Sequence, residues 1–198
     1  RTHSKCLRFR MEIGTAISLC ATGLSLLIIL LAIIALAEPW WVYCESIVQS
    51  VLIKRYQGFW RSCTDTNGQV ACSEIRRDDW NDWEKVTLAM MFLGIFFIAI
   101  SFIMSIAPPR LVKVKMAGGG INILAGVFFM VGGSVFGAKG KDKNLCSNPY
   151  LGSCFILGII CLILSFINAC VFAAATAIKS NRRSSVSIHQ QILDADVS

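Results

Sequence analysis

The sequence predicts a mainly α-helical membrane protein that crosses the bilayer four times and carries one long polar loop outside the cell. Three observations predict it. Four apolar runs, at about residues 13–37, 86–107, 116–138 and 151–178, contain no Asp, Glu, Lys or Arg in their cores. Basic residues collect at the ends of those runs that share one side. A cysteine pair, Cys63 and Cys72, sits in the longest polar segment. Of the 198 residues, 55% are hydrophobic and 16% charged, against about a quarter charged in an ordinary soluble domain.

Each run reaches the ~20 residues that a helix needs to cross ~30 Å of hydrocarbon. The first follows Arg1, Lys5, Arg8 and Arg10. It exceeds the roughly 7–15 residues of a signal-peptide core, so it is read as a retained span, although Ala35-Leu36-Ala37 resembles a cleavage site. The second stops at Pro108-Pro109, which cannot continue a helix. The fourth is longer than a span requires and is expected to tilt or to extend past the bilayer. Residues 1–178 thus form one four-span domain, with loops at about 38–85 and 139–150. The tail, 179–198, is expected to be disordered. Charges inside spans mark ion pathways and proton relays, and their absence argues against a transporter or a proton-coupled pump.

The net charge of +7 does not indicate nucleic-acid binding, because no basic patch is interleaved with base-stacking aromatics. Its distribution gives orientation instead. The basic N-terminus, the Arg110, Lys113 and Lys115 loop, and the tail with Lys179, Arg182 and Arg183 belong together on the cytoplasmic side. There they face acidic lipid head groups. Lys139, Lys141 and Lys143 are a minor exception. Both termini are expected in the cytoplasm and the protein in the plasma membrane.

The spans carry small residues at helical spacing: Gly14, Ser18, Ala21 and Ser25; Gly119, Asn122, Gly126, Gly133 and Gly137; Ser165, Ala169, Ala173 and Ala177. Such stripes let helices approach closely in lipid. Packing within one bundle is the first use expected of them, and lateral assembly of protomers the second. Asn122 and Asn168 can hydrogen-bond between helices, and the sequence does not pair them.

In the long loop, Val42-Tyr43, Ser46-Ile47-Val48 and Val51-Leu52-Ile53 are β-prone. Asn67-Gly68, between the two cysteines, is a strong hairpin turn pair. A hairpin tied by Cys63–Cys72 follows, and the oxidising side of the membrane would preserve the bridge.

Trp41, then Gly58-Phe59-Trp60, then Cys63 and Cys72 resembles the signature of the claudin superfamily, which includes peripheral myelin proteins and calcium-channel γ subunits. Gly68-Gln69 before Cys72, Lys115-Met116 with Gly119-Gly120 and Ala125-Gly126, and Leu151-Gly152-Ser153 resemble claudins in particular. The resemblance implies a left-handed four-helix bundle carrying a small extracellular antiparallel β-sheet. It implies that Trp41 and Trp60 sit where the sheet meets the outer leaflet, and Trp80 and Trp83 suit the same level. The chain also departs from claudins. Phe59 replaces leucine, the second loop is short, and the chain reads Asp196-Val197-Ser198 where claudins carry a terminal Tyr-Val. Cys44 and Cys146 are additional. Three arrangements stay open for them: a Cys44–Cys146 bridge, a Cys146–Cys154 bridge, or free thiols.

Cys6 is a candidate palmitoylation site at the membrane edge. Arg182-Arg183-Ser184-Ser185 has the pattern of a basophilic kinase site, with Ser185 as acceptor. No Ser/His/Asp grouping, metal-ligand spacing or phosphate loop is present, so neither an enzyme nor a cofactor is expected. The function expected is that of a cell–cell junction protein that self-associates, or associates with other four-span proteins, to support adhesion or control paracellular permeability. The alternative is an auxiliary subunit of a channel or receptor.

Overall fold

The computed structural model describes residues 2–48, 51–107, 112–140 and 149–195; within these, 2–15, 48, 77, 112 and 178–195 are described by backbone alone. Helix α1 spans Thr2–Ala37. Strands β1 (Val42–Val48), β2 (Val51–Gln57), β3 (Arg61–Thr66) and β4 (Gln69–Glu74) follow, then a single 3₁₀ turn at Arg77–Asp79. Helices α2 (Asp82–Ile106) and α3 (Val112–Lys139), strand β5 (Tyr150–Leu151) and helix α4 (Ser153–Ala195) complete the chain. Among the described residues, four helical segments are long and apolar enough to cross a membrane: Ala16–Ala37, Asp82–Ile106, Lys113–Lys139 and Ser153–Ala177. They pack in a ring, α1 against α2 and α4, and α3 against the same two.

The element ends differ from the expected ones for local reasons. Helix α2 starts at Asp82, upstream of the charge-free run, because Glu84 folds back over its N-terminus. The Glu84 carboxylate accepts from the Asn81 backbone N–H at 3.0 Å and from Asn81 Nδ2 at 3.1 Å. A carboxylate in the first turn meets unsatisfied N–H groups and the positive end of the helix dipole, and Glu84 is buried there. Residue 151, expected to begin the fourth span, instead forms the strand β5 with residue 150 of the second loop. Where disorder was expected over 179–198, the backbone of α4 continues through Ala195, and residues 196–198 lie outside the described residues. No Gly or Pro interrupts residues 179–195, and a helix already nucleated in the bundle propagates at little cost. Pro108-Pro109 lies outside the described residues.

Small-against-large packing fills the bundle. A Cβ on Gly94 of α2 would stand 2.6 Å from the Phe129 ring of α3. Gly119, Gly126 and Gly137 of α3 leave room for Phe172, Phe166 and Phe155 of α4. Most of the glycine stripe is thereby used inside the bundle, whereas Gly23, Gly120 and Gly133 face open space.

A buried polar column joins the helices in the half of the bundle away from the sheet. Asn168 Nδ2 of α4 donates to Ser25 Oγ of α1 at 2.8 Å and to Asn122 Oδ1 of α3 at 3.2 Å. Asn122 Nδ2 donates in turn to Ser101 Oγ of α2, and Ser101 Oγ to the Gly118 carbonyl at 3.0 Å. One connected set thus touches all four helices. Farther from the sheet, Thr22 and Ser105 share a hydrogen bond at 2.8 Å, and Lys115 Nζ donates to Ser18 Oγ at 2.7 Å. Inside a bilayer no water competes for these groups.

The strands form a single antiparallel sheet in the order β4-β3-β2-β1-β5. It sits at the bundle end where α1 and α3 finish and α2 and α4 begin.

Candidate functional site: the sheet-bearing end of the bundle

The last carbonyls of a helix have no partner within it, and α1 resolves this with side chains from the loop. The Ile34 carbonyl accepts from Glu38 N–H at 3.1 Å. The Ala35 carbonyl accepts from Trp41 Nε1 at 2.6 Å, and the Leu36 carbonyl from Trp60 Nε1 at 2.8 Å. The two motif tryptophans are therefore caps as well as anchors, binding the start and the middle of the loop to one helix end.

Trp41 is fully buried. Its ring meets Phe59 and Phe136 edge-on, both at 4.7 Å between centroids. Trp83 and Phe155 pack on Phe136, so all four helices and the loop contribute to one aromatic cluster or its apolar surround. Phe59, which stands where the signature has leucine, is buried against Trp41 and Phe136, the ring that all the others touch. Gly58 must be glycine for a steric reason: a Cβ would lie 2.7 Å from Pro39 Cα and 2.8 Å from the Glu38 carbonyl oxygen. Trp60 also meets Trp80 edge-on at 5.3 Å. Trp80 Nε1 is buried and has no hydrogen-bond partner among the described residues.

The hairpin forms as its turn residues dictate. Asn67 has φ 52° and Gly68 has φ 84°, the two positive values that a tight hairpin turn requires. The Asp65 carboxylate accepts from Gly68 N–H at 2.9 Å. Cys63 and Cys72 lie directly opposite each other in β3 and β4 and are bonded, with Cα atoms 4.1 Å apart. Strand β4 is an outer strand of the sheet and is exposed along its whole length.

The fate of the other cysteines is partly visible. Cys44 is disulfide-bonded and buried. Cys154 is a free buried thiol, which removes the Cys146–Cys154 arrangement. Cys146 itself lies outside the described residues, as do the side chains of Cys6 and Ser185.

Some residues at this end gave no signal of their own, and Leu151 and Gly152 gave one only as part of the resemblance. Strand β5 pairs with β1, Tyr150 opposite Tyr43 and Leu151 opposite Val42. Gly152 N–H then donates to the Trp41 carbonyl at 2.8 Å, and Cys154 N–H to the Trp40 carbonyl at 3.0 Å. A Cβ on Gly152 would overlap the Trp40 carbonyl oxygen. This short stitch ties the second loop to the first. On the open face of the sheet the Tyr43 hydroxyl donates to the Glu45 carboxylate. The bond holds Glu45 below its ordinary carboxylate value, with help from Lys54, and pushes the Tyr43 phenol above its own. Lys54 Nζ lies 3.4 Å from Glu45 Oε1. Only the alternation of side chains along β1 could have placed Tyr43 and Glu45 on one face.

The model of the PMP-22/EMP/MP20/Claudin family matches residues 14–172. The chain belongs to that family. No curated protein matches it. Within the PMP-22/EMP/MP20/Claudin chain, the matched range takes in the sheet, both capping tryptophans, the Cys63–Cys72 bridge and all four membrane segments except the last residues of the fourth. The long helices beyond it at both ends are outside the family match.

Proposed function

We propose that this chain is a claudin-type junction protein of the plasma membrane. Both termini lie in the cytoplasm, the sheet projects outside the cell, and protomers assemble side by side to support adhesion or control paracellular permeability. The observation that carries this reading is the anchoring of the sheet. Two indole N–H groups bind it to the end of α1, and a disulfide pins its outer hairpin. A sheet held in this way can transmit a contact to the bundle. One hung on unattached loops would yield to it. The disulfide also supports the outer side, where such bonds persist, and the basic residues support the cytoplasmic side of the termini. The exposed β4 edge offers unpaired backbone groups to a neighbour.

One feature favours the auxiliary-subunit reading: only residues 140–149 separate α3 from β5, which makes a short second loop. Expression in cells that lack junctions separates the two. The junction reading expects enrichment at cell contacts, strands in freeze-fracture images and a changed transepithelial resistance. Co-purification with a channel and no enrichment at contacts would replace it. Epitope tags at each terminus, read with and without permeabilisation, test the orientation independently.

Within this reading Cys44 pairs with Cys146, tying the two loops together. Cys44 is bridged, Cys154 is free, and β1 lies beside the strand that follows residue 146. Peptide mapping without reductant tests the pair. Intact mass from expressing cells tests palmitate on Cys6 and phosphate on Ser185.

A further inference from the structure

On the open face of the sheet, close to the membrane, four aromatic side chains form a row. Trp40 leaves the end of α1 and stacks on Tyr56, with centroids 4.3 Å apart and rings 7° from parallel. Tyr56 lies directly opposite Tyr43 in the β1–β2 pair. Tyr43 lies opposite Tyr150 in the β1–β5 pair, and their rings are 6.3 Å apart. Side chains that are paired across antiparallel strands project from the same face, so the row crosses three adjacent strands. Tyr56 is buried beneath Trp40, while Trp40 is 39% and Tyr150 60% exposed. Glu45 stands two residues beyond Tyr43 on the same face, away from the membrane, and its carboxylate is charged and exposed.

From this arrangement we propose that the row is a binding site for the choline head group of a phospholipid in the leaflet on the sheet side of the membrane. The order of chemistry along the site matches the order along such a lipid. The exposed apolar side chains Ile33 and Ile34 end the lipid-facing surface of α1, at the level of the acyl chains. Trp40 comes next, an amphipathic ring suited to the glycerol and phosphate level. The rings of Tyr43 and Tyr150 follow, at the level of the quaternary ammonium, while Tyr56 lies beneath Trp40 and supports it. Aromatic faces attract that cation through the ring quadrupole and are the usual means of recognising it. Glu45 lies beyond them and adds negative charge at the outer end. Lys54 offsets part of that charge, so the rings, which favour a weakly hydrated trimethylammonium over a primary ammonium, set the preference. Trp40 comes three residues after the membrane-spanning segment ends at Ala37, so the site begins where that segment stops, which makes a bilayer lipid its occupant. The inference needs only the membrane-spanning bundle and holds whether the protein serves junctions or a channel.

The test uses the full purified chain in mixed micelles that hold phosphatidylcholine, phosphatidylethanolamine and phosphatidylglycerol in equal amounts with identical acyl chains. Native mass spectrometry reads the retained lipid. Phosphatidylcholine is expected to be retained about 5-fold or more over either competitor, as a partly desolvated cation–π contact allows. Trp40→Leu and Tyr150→Ala should remove most of the preference, and Tyr150→Phe, which keeps the ring, should preserve it. Unchanged near-ultraviolet circular dichroism shows that each variant keeps its fold, and Tyr150→Phe keeps the test decisive if Trp40→Leu misfolds. Equal retention of the three lipids overturns the proposal. So does equal retention of the two zwitterionic lipids with a loss of both in Glu45→Gln, since charge alone would then explain binding. A dimer that forms in detergent and separates on Tyr150→Ala would assign the face to a second copy and also overturn it.

Discussion

The two ends of the helix bundle solve the same packing problem with different chemistry. The end that carries the sheet is closed by rings: Trp41, Phe59 and Trp83 meet Phe136 edge-on and Phe155 stacks on it. The other end is joined by short polar side chains, with Asn168, Asn122, Ser25 and Ser101 forming one connected set. The rings bury large area and tolerate no added atom, so they fix position sterically. The polar set buries little area but allows one pairing of donors and acceptors, so it fixes which helix faces which. Breaking the sheet end should therefore cost stability outright. Breaking the opposite end should cost less energy and loosen helix register.

The largest effect is expected at Gly152, where the second loop is stitched to Trp40 and Trp41. A methyl group there meets a backbone oxygen that cannot move without breaking the pair of hydrogen bonds beside it. Gly152→Ala should destabilise the protein by on the order of 3 kcal/mol or more, the range in which overpacking and lost backbone hydrogen bonds combine. Thermal unfolding in detergent, followed by the loss of the monodisperse gel-filtration peak, measures it. A variant as stable as the wild type would mean that β5 does not hold the second loop in this way.

Next comes Trp41→Phe, which keeps a ring in the aromatic cluster and removes the N–H that caps the Ala35 carbonyl. Leaving that acceptor unpaired in a buried site should cost about 1–3 kcal/mol, with a small further loss from the smaller ring. Trp60→Phe should cost less, because its bond to Leu36 is only partly buried. Equal costs at the two positions would show that packing, and not capping, gives the tryptophans their role.

These two positions also mark how far the sequence could be read. Trp41, Gly58, Trp60, Cys63 and Cys72 were legible as a spaced motif, and Asn67-Gly68 as a turn, because the signal in each case is local. The four spans were legible because apolar length is a property of a single run. What those residues touch was not legible. The sequence offers no means of seeing that the indoles reach back to carbonyls of α1, since that contact joins residues from separate elements. Gly152 was visible only as part of a resemblance, and its reason is a backbone oxygen far upstream. The start of α2 was missed because charge seemed to exclude Asp82 and Glu84 from a span, while Glu84 satisfies Asn81 and so belongs to the helix. Strand β5 is too short to carry a pattern of its own. The helical tail was missed because its polar composition argued for disorder and the preceding span had already nucleated it.

At the polar end, Asn168→Leu and Asn122→Leu should each cost about 0.6–2 kcal/mol, the scale of hydrogen bonds between membrane helices. The double variant should cost less than the sum, because either single change already breaks the bond between the two amides. Asn168 Oδ1 has no partner among the described residues, which offsets part of what Asn168 gains from its two donated bonds. A thermal-stability cycle measures the coupling. Strict additivity would mean that the two amides are independent. A coupling larger than the loss at Trp41 would reverse the ranking of the two ends.

The smallest effect lies on the sheet surface, where the Tyr43–Glu45 bond is exposed and shifts two titrations in opposite directions. The folded-state value of Glu45 is lowered, so its contribution to stability is present above the ordinary carboxylate value of 4.5 and is lost as pH falls through the folded value. The folded-state value of Tyr43 is raised, so its contribution is complete below the ordinary phenol value of 10.0 and is lost as pH rises through the folded value. Between those limits the bond is intact and stability should not vary with pH on its account. A titration of ¹³C-labelled tyrosine, followed at the ring carbon bearing the hydroxyl, should show Tyr43 ionising at higher pH than a free phenol. Glu45→Gln should bring it back towards 10.0, because the carboxylate is both the acceptor and the nearby negative charge. Lys54→Ala should leave Tyr43 almost unmoved while raising Glu45, since the ammonium acts on the carboxylate and the phenol is bonded to the carboxylate alone. If Glu45→Gln leaves the tyrosine titration where it was, the shift comes from burial beside Tyr150. The carboxylate would then lie too far from the ring to act on anything bound there.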